Sequence, residues 1–146
     1  MNPGFRTDHL ISMDLDPSVL RYSPERTRDS YRKIINQAGT LPGVVSVTLA
    51  ESLPLSPSQG SVTVVPEGYQ FPVGREKVTV FGGAFDEKYF GIMKVQIVLG
   101  RGFSAGDLAG ARRVALVNEE FAKTYWPNQD PIGKRLRLDR PDGRRK

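Results

Sequence analysis

Few residues of this 146-residue chain have the types and spacing to do chemistry. His9 is its one histidine and cysteine is absent, which excludes a disulfide framework, a thiolate nucleophile, any Cys-ligated zinc or iron–sulfur site and a His–His metal pair. A Ser–His–Asp relay would have to be built around His9. No serine stands on a nucleophile-elbow pattern, and a lone histidine at the start of an alternating segment reads as an edge residue. Gly100-Arg-Gly-Phe-Ser-Ala-Gly106 comes nearest to a phosphate loop. Its third glycine falls one position late for the dinucleotide fingerprint, and no glycine-rich loop ends in Lys-Ser or Lys-Thr. It reads as a tight turn after a strand.

The carboxylates and aromatics follow the same course. Glu119 and Glu120 are adjacent on a predicted helix, so their side chains diverge by about 100° and favour the positive end of the helix dipole over acid–base work. Asp86 and Glu87 read the same way, and no spaced Asp-x-Asp series offers a hard-cation site. Tyr89, Phe90, Phe103, Phe121, Tyr125 and Trp126 sit beside glycines or on helix faces. An RNA-binding sheet would instead carry aromatics at strand centres with basic neighbours. The expectation is a domain with no catalytic, cofactor-binding or metal-binding residue.

The elements that must position these groups show in the periodicity. Ile11, Met13 and Leu15 alternate with Leu10, Ser12 and Asp14, predicting a strand over 9–15. Ser23-Pro24-Glu25 supplies an N-cap, a proline at the first helical position and an acid in the first turn. Thr27, Tyr31, Ile34, Ile35 and Ala38 then recur on one helical face, with Gly39 predicted as a left-handed cap. After the Pro42-Gly43 turn, alternation over 44–51 predicts a second strand, completing a βαβ-type unit. The stretch 52–87 reads as a loop and edge-strand insertion around Val62–Val65, with a further strand at Lys77–Phe81 and a helical turn at Asp86–Phe90. Strands are predicted at 94–99 and, as a central strand, at 114–117, with a short turn of helix over 104–108 between them. Asn118 caps a second main helix that ends at Trp126-Pro127. Leu136 and Leu138 alternate with Arg135 and Arg137 in a last strand with a basic outer face. The fold class is α+β, with βαβ-type units and a mixed sheet packed against two main helices, in a single domain over 1–146.

Hydrophobic content of 38% and charged content of 25% are those of a globular chain. The net charge of +5 would ordinarily suggest a polyanionic partner. Residues 134–146, however, hold seven basic groups and two acids, leaving 14 of each before them. The body is neutral and the basicity belongs to the end, including a basic tail over 139–146. The longest charge-free run, 34–50, is broken by Asn36, Gln37, Gly39, Pro42 and Gly43, so it does not read as a membrane span of about 20 apolar residues. No signal-peptide pattern follows Met1.

Nearly the whole chain resembles the extracytoplasmic core domain of MacB-like, FtsX-family ABC transporter permeases. The resemblance is carried by Asn2-Pro-Gly-Phe5; Leu41-Pro-Gly-Val-Val-Ser-Val47; Ser52-Leu-Pro-Leu55; Lys88-Tyr-Phe-Gly-Ile-Met93; Leu99-Gly-Arg-Gly-Phe103 with Asp107; and Val114-Ala-Leu-Val-Asn-Glu-Glu-Phe-Ala122 running into Tyr125-Trp-Pro127 and Asp130-Pro-Ile-Gly-Lys134. It implies a porter-like domain with no active site or cofactor, held outside the bacterial inner membrane by transmembrane helices beyond this sequence. Such a domain transmits movement driven by a cytoplasmic ABC ATPase. Further implied partners are a second permease copy and a periplasmic adaptor, and the implied outcome is export or mechanical signalling. Gly43, Gly100, Gly102 and Gly133 would permit turns, while Phe103, Phe121, Tyr125 and Trp126 would pack. The resemblance also implies a further strand and a membrane helix after residue 146. No nucleic-acid partner is expected. The alternatives are a nucleic-acid-binding module that uses the basic end, and a small-ligand-binding extracytoplasmic domain with a pocket between the 52–76 loop and the sheet.

Overall fold

A computed structural model describes residues 4–16, 21–56, 59–107 and 112–139. The element order is α1 (Pro24–Gly39), β1 (Ser61–Pro66), β2 (Val78–Phe81), α2 (Tyr89–Ile92), a single 3₁₀ turn (Ala105–Asp107), α3 (Glu119–Tyr125) and β3 (Leu136–Leu138). The chain forms two compact units, one of Met1–Leu49 with Asp86–Gln96, the other of Ala50–Phe85 with Ile97–Lys146. The fold is α+β. Asn2, Pro3, Leu108 and all of the predicted basic tail except Asp139 lie outside the described residues.

In the first unit, α1 starts as its sequence dictates. Ser23 is extended (φ −62°, ψ 157°), its hydroxyl accepts the Arg26 N–H at 3.3 Å, and Pro24 follows where its missing N–H costs nothing. Thr27, Tyr31, Ile34, Ile35 and Ala38 are all half-buried, so the predicted apolar stripe faces inward. The C-terminus departs from expectation. Gly39 stays helical, and Thr40 ends the helix in the right-handed region, its N–H and hydroxyl both donating to the Gln37 carbonyl at 3.1 and 2.8 Å. A threonine hydroxyl that satisfies a terminal carbonyl removes the need for a left-handed glycine there. That conformation appears at Gly43 instead (φ +83°).

Among the described residues, the unit's buried side chains come from α2 and its exit, Tyr89 at 4% exposure and Met93 at 5%. α2 closes in a Schellman arrangement, with Lys94 N–H donating to Gly91 O at 3.2 Å and Val95 N–H to Phe90 O at 2.9 Å. The left-handed residue this motif requires is Lys94 (φ +53°), where glycine is the usual occupant. Lys94→Gly is therefore expected to raise the stability of this unit by about 0.5–1 kcal/mol, the part of the left-handed penalty not consumed by glycine's extra chain entropy. A chemical denaturation midpoint measures it, and a lowered midpoint would contradict the strain.

The second unit is built on a wholly antiparallel three-stranded sheet in the order β2-β1-β3. β1 is its centre, which corrects the expectation of an edge strand. The short apolar run pairs on both sides in staggered fashion, residues 61–64 with β2 and 64–66 with β3. Val64 is the position where the two ladders overlap, and it is 2% exposed. Val78, Val80, Leu136 and Leu138 are half-buried while Thr79, Phe81 and Arg137 are exposed, as alternation requires. On the outer face Thr63 and Thr79 share a hydroxyl hydrogen bond of 2.8 Å. α3 begins at Asn118 as predicted, the side-chain oxygen accepting the Phe121 N–H at 2.8 Å.

Four predicted strands are not found. Over 9–15, 44–49, 94–99 and 114–117 the described residues form no ladder, and of 44–51 only Ala50 makes a single bridge, to Phe85. The sheet is accordingly antiparallel and not mixed, and α1 is not flanked by paired strands. Alternation marks which side chains could share a face; a strand also needs a neighbour in register to take its N–H and C=O groups. Ile11 and Val45 are fully exposed (100%), and Val114, predicted as central, is 42% exposed. The segment 94–99 cannot start as a strand at all, because Lys94 is committed to the end of α2.

Candidate functional site

The loop nearest to a phosphate cradle is closed upon itself. Arg101 reaches forward to grip Asp107 with both guanidinium nitrogens, Nη1 to Oδ2 at 2.7 Å and Nη2 to Oδ1 at 2.8 Å. Ser104 donates to the same carboxylate through its N–H at 2.8 Å and its hydroxyl at 3.0 Å. The N–H and hydroxyl that an anion would need are thus held by an anion the chain supplies itself. Gly100 takes φ +81° at the head of the loop, where a Cβ would stand 2.9 Å from Ile132 Cδ1. Gly43 and Gly133 are likewise left-handed, whereas Gly102 adopts an ordinary φ and is not required by the turn.

The Arg101 hydrogen bonds, joined by those from Ser104, hold the Asp107 carboxyl far below its ordinary value of 3.8, and the Arg101 guanidinium is raised in return. Since the folded value lies below the unfolded one, this clamp stabilises the fold at every pH above about 3.8. The contribution is lost only as pH falls from there through the folded value. Carboxyl NMR titration is expected to show Asp107 still ionised where exposed carboxylates have protonated. Arg101→Ala is expected to move its midpoint up by about 1–3 pH units. An unmoved midpoint would refute the clamp.

The other sequence candidates do not assemble. His9 has an 81% exposed side chain, with Nδ1 2.9 Å from Asp8 Oδ2, and the His9 hydrogen bond lowers the Asp8 carboxyl. Glu119 and Glu120 are both exposed in the first turn of α3. Among the described residues no three His, Asp or Glu side chains converge on a metal position. Among the described residues, one open hollow is formed by the single run Phe71–Lys77 and another by Ile35, Asn36, Gly39 and Thr40 at the end of α1 with Val45–Val47 and Lys88. The first is lined by the end of the 52–76 loop and Lys77, with no residue of the sheet.

What the polar groups do instead is fix backbone. Glu67 accepts the Trp126 indole N–H on its carbonyl at 2.9 Å, donates its own N–H to Arg135 O at 2.9 Å, and takes the Arg135 N–H on Oε2 at 2.9 Å. Trp126 is 4% exposed, and its ring stands 5.7 Å from that of Phe121, which contacts Tyr125 at 4.5 Å. Tyr69 adds edge contacts to Tyr125 at 4.9 Å and Phe71 at 4.8 Å. Of the side chains expected to pack, Trp126 is buried and Phe103, Phe121 and Tyr125 are half-buried. Asp130-Pro-Ile-Gly-Lys134 is turn chemistry, with Asp130 Oδ1 accepting the Ile132 N–H at 2.9 Å and Lys134 N–H donating to Pro131 O at 3.2 Å. Asp86 does more than favour a helix dipole. It accepts the Lys88 and Tyr89 N–H groups at 2.9 and 3.1 Å, the Leu49 N–H at 2.9 Å and the Thr48 hydroxyl. Glu51, not singled out by sequence, accepts the Ala84 N–H at 2.7 Å.

Side chains used this way describe a scaffold domain, an α+β body whose carboxylates, amides and indole hold turns and helix ends. The chain belongs to the MacB-like periplasmic core domain family, whose profile matches residues 6–144. Domains of this family are extracytoplasmic parts of ABC transporter permeases, membrane transport proteins that work with an ATPase. Among the described residues no helix is long and apolar enough to cross a membrane. No curated protein and no solved structure matches the chain.

Proposed function

We propose that this chain is a non-catalytic domain of a permease, standing on the extracytoplasmic face of the bacterial inner membrane and coupling cytoplasmic ATP hydrolysis to export or mechanical signalling. Residues 1–146 act as one periplasmic core domain, with 52–87 as its inserted segment and 139–146 as its basic tail. The reading assigns it no catalytic, cofactor or metal residue. It places the ABC ATPase, a second permease copy and a periplasmic adaptor as partners of the integral membrane parent. The observation that carries it is the family match over 6–144. The commitment of the Asp86, Asp107 and Glu67 carboxylates to backbone N–H groups supports it, because a relay of force needs defined turns more than free functional groups.

The test uses the parent permease reconstituted with its ATPase. Trp126→Ala in this domain is expected to abolish export or signalling while ATP hydrolysis continues, and the purified chain alone is expected to hydrolyse no ATP. Full export with the domain so disrupted, or ATP turnover by the chain alone, would overturn the proposal.

A further inference from the structure

Cross-strand partners share a face of a sheet, so the register Ser61↔Phe81, Thr63↔Thr79 and Val65↔Arg137 puts Phe81, Thr79 and Arg137 together on the outer side of β2-β1-β3. That side is open: Ser61, Thr79, Phe81 and Arg137 are exposed, Phe81 at 79%. Phe81 and Arg137 stand opposite positions four residues apart on β1, a separation of about 13 Å along the strand. Arg135 is exposed as well. Among the described residues no carboxylate forms an ion pair with either guanidinium. Lys134 keeps its charge, because its ammonium bonds the neutral Gln129 at 2.7 Å. The nearby acids are offset: Asp139 Oδ2 takes the Lys77 ammonium at 2.6 Å, Glu67 Oε2 accepts the Arg135 N–H at 2.9 Å, and Glu76 lies between Arg75 and Lys77 in the sequence. Beyond Asp139 the sequence adds Arg140, Arg144, Arg145 and Lys146 against Asp142 alone.

We propose that this outer face docks on the anionic phospholipid surface of a bilayer, Arg135 and Arg137 meeting headgroup phosphates and Phe81 entering the acyl boundary. The inference rests on the permease reading, which sets the domain beside a membrane. Guanidinium forks match phosphate oxygens in pairs. Each Lys or Arg brought near an anionic surface strengthens attachment about fivefold. An exposed aromatic on the same face supplies the apolar part that a purely electrostatic contact lacks. Nucleic acid fits this face less well, because base stacking calls for aromatics at strand centres beside basic groups. The centres here hold Thr63 and Thr79, whose hydroxyls bond each other at 2.8 Å. The bias of basic residues toward the cytoplasm governs loops of up to about 60 residues, so it does not bar a basic face on a chain of 146.

Cosedimentation of the 146-residue chain with vesicles tests this. The chain is expected to bind vesicles of phosphatidylglycerol and phosphatidylethanolamine in equal parts and not to bind pure phosphatidylcholine. Binding is expected to fall away at about 1 M salt, where charges are screened beyond about 3 Å. Arg135→Gln combined with Arg137→Gln is expected to weaken binding about 25-fold, fivefold for each charge. Arg28→Gln combined with Lys33→Gln, an equal loss of charge at exposed positions of α1, is expected to cost far less. Phe81→Ala is expected to weaken binding without changing its salt dependence. No binding to the anionic vesicles, equal losses from the two double variants, unchanged binding in Phe81→Ala, or tighter binding of a single-stranded oligonucleotide would overturn the proposal. The vesicles carry no ATPase, so failure here leaves the transport reading standing. Failure of the export test with vesicle binding intact would instead leave a membrane-docking domain without a transport role.

Discussion

Trp126→Ala is expected to destabilise the sheet-bearing unit by about 3–5 kcal/mol, the range for removing a large buried aromatic. Trp126 is 4% exposed, terminates α3, packs against Phe121 and donates its indole N–H to the Glu67 carbonyl. The loss combines a cavity with a carbonyl stripped of its partner. Trp126→Phe separates the two, since it fills most of the volume and leaves only the missing hydrogen bond, worth about 1–2 kcal/mol. A whole domain is stable by about 5–15 kcal/mol, so the alanine variant is expected to populate its unfolded sheet measurably at moderate temperature. Urea unfolding followed through β-sheet amides reads both variants. A cost for Trp126→Ala below that of Trp126→Phe would show that the ring is not holding this unit.

Met93→Ala and Tyr89→Ala are expected to do the same to the helical unit, at about 2–5 and 3–5 kcal/mol respectively. No side chain of α1 is fully buried, so the small interior of this unit leans on these two residues. Exposing either site leaves α2, a single turn of four residues, without the contacts that compensate its costly nucleation. Tyr89 adds a pH dependence. Burial pushes its phenol above the ordinary value of 10.0, so its contribution is intact below that value and is lost as pH climbs through the raised folded one. Alkaline unfolding monitored by tyrosinate absorbance is expected to begin later in Tyr89→Phe than in the unsubstituted protein. Equal onset in the two would place Tyr89 in solvent.

Local chemistry was legible in the sequence because its partners lie within a few residues. The Ser23 and Asn118 caps, the stripe from Thr27 to Ala38, the β2 alternation and the basic outer face of β3 all appear where composition and period put them. Gly39 misled because a threonine one position later offers an equivalent solution by side chain. The unpaired segments over 9–15 and 114–117 misled because period reports the face of a strand and not its neighbour. β1 reads as an edge for the same reason: its second partner, β3, lies seventy or more residues downstream. The cap at Asn118 and the turn at Asp130 could be argued from residue types alone. The actual duties of Asp86, Glu51 and Glu67 could not, because their partners stand 37, 33 and 68 residues away and no short motif encodes such a distance.

That distance also orders events in time. Val64 meets Leu138, and Glu67 meets both Trp126 and Arg135, so the centre strand of the sheet cannot be completed until almost the last described residue has left the ribosome. Contacts of such long sequence separation form slowly because loop closure must precede any reward. α1, whose hydrogen bonds span only single turns, is free to form much earlier. A nascent chain therefore carries β1 and β2 as a bare hairpin from the synthesis of residue 81 until that of residue 136, and a release or translocation step that interrupted it in that interval would deliver a sheet without its third strand.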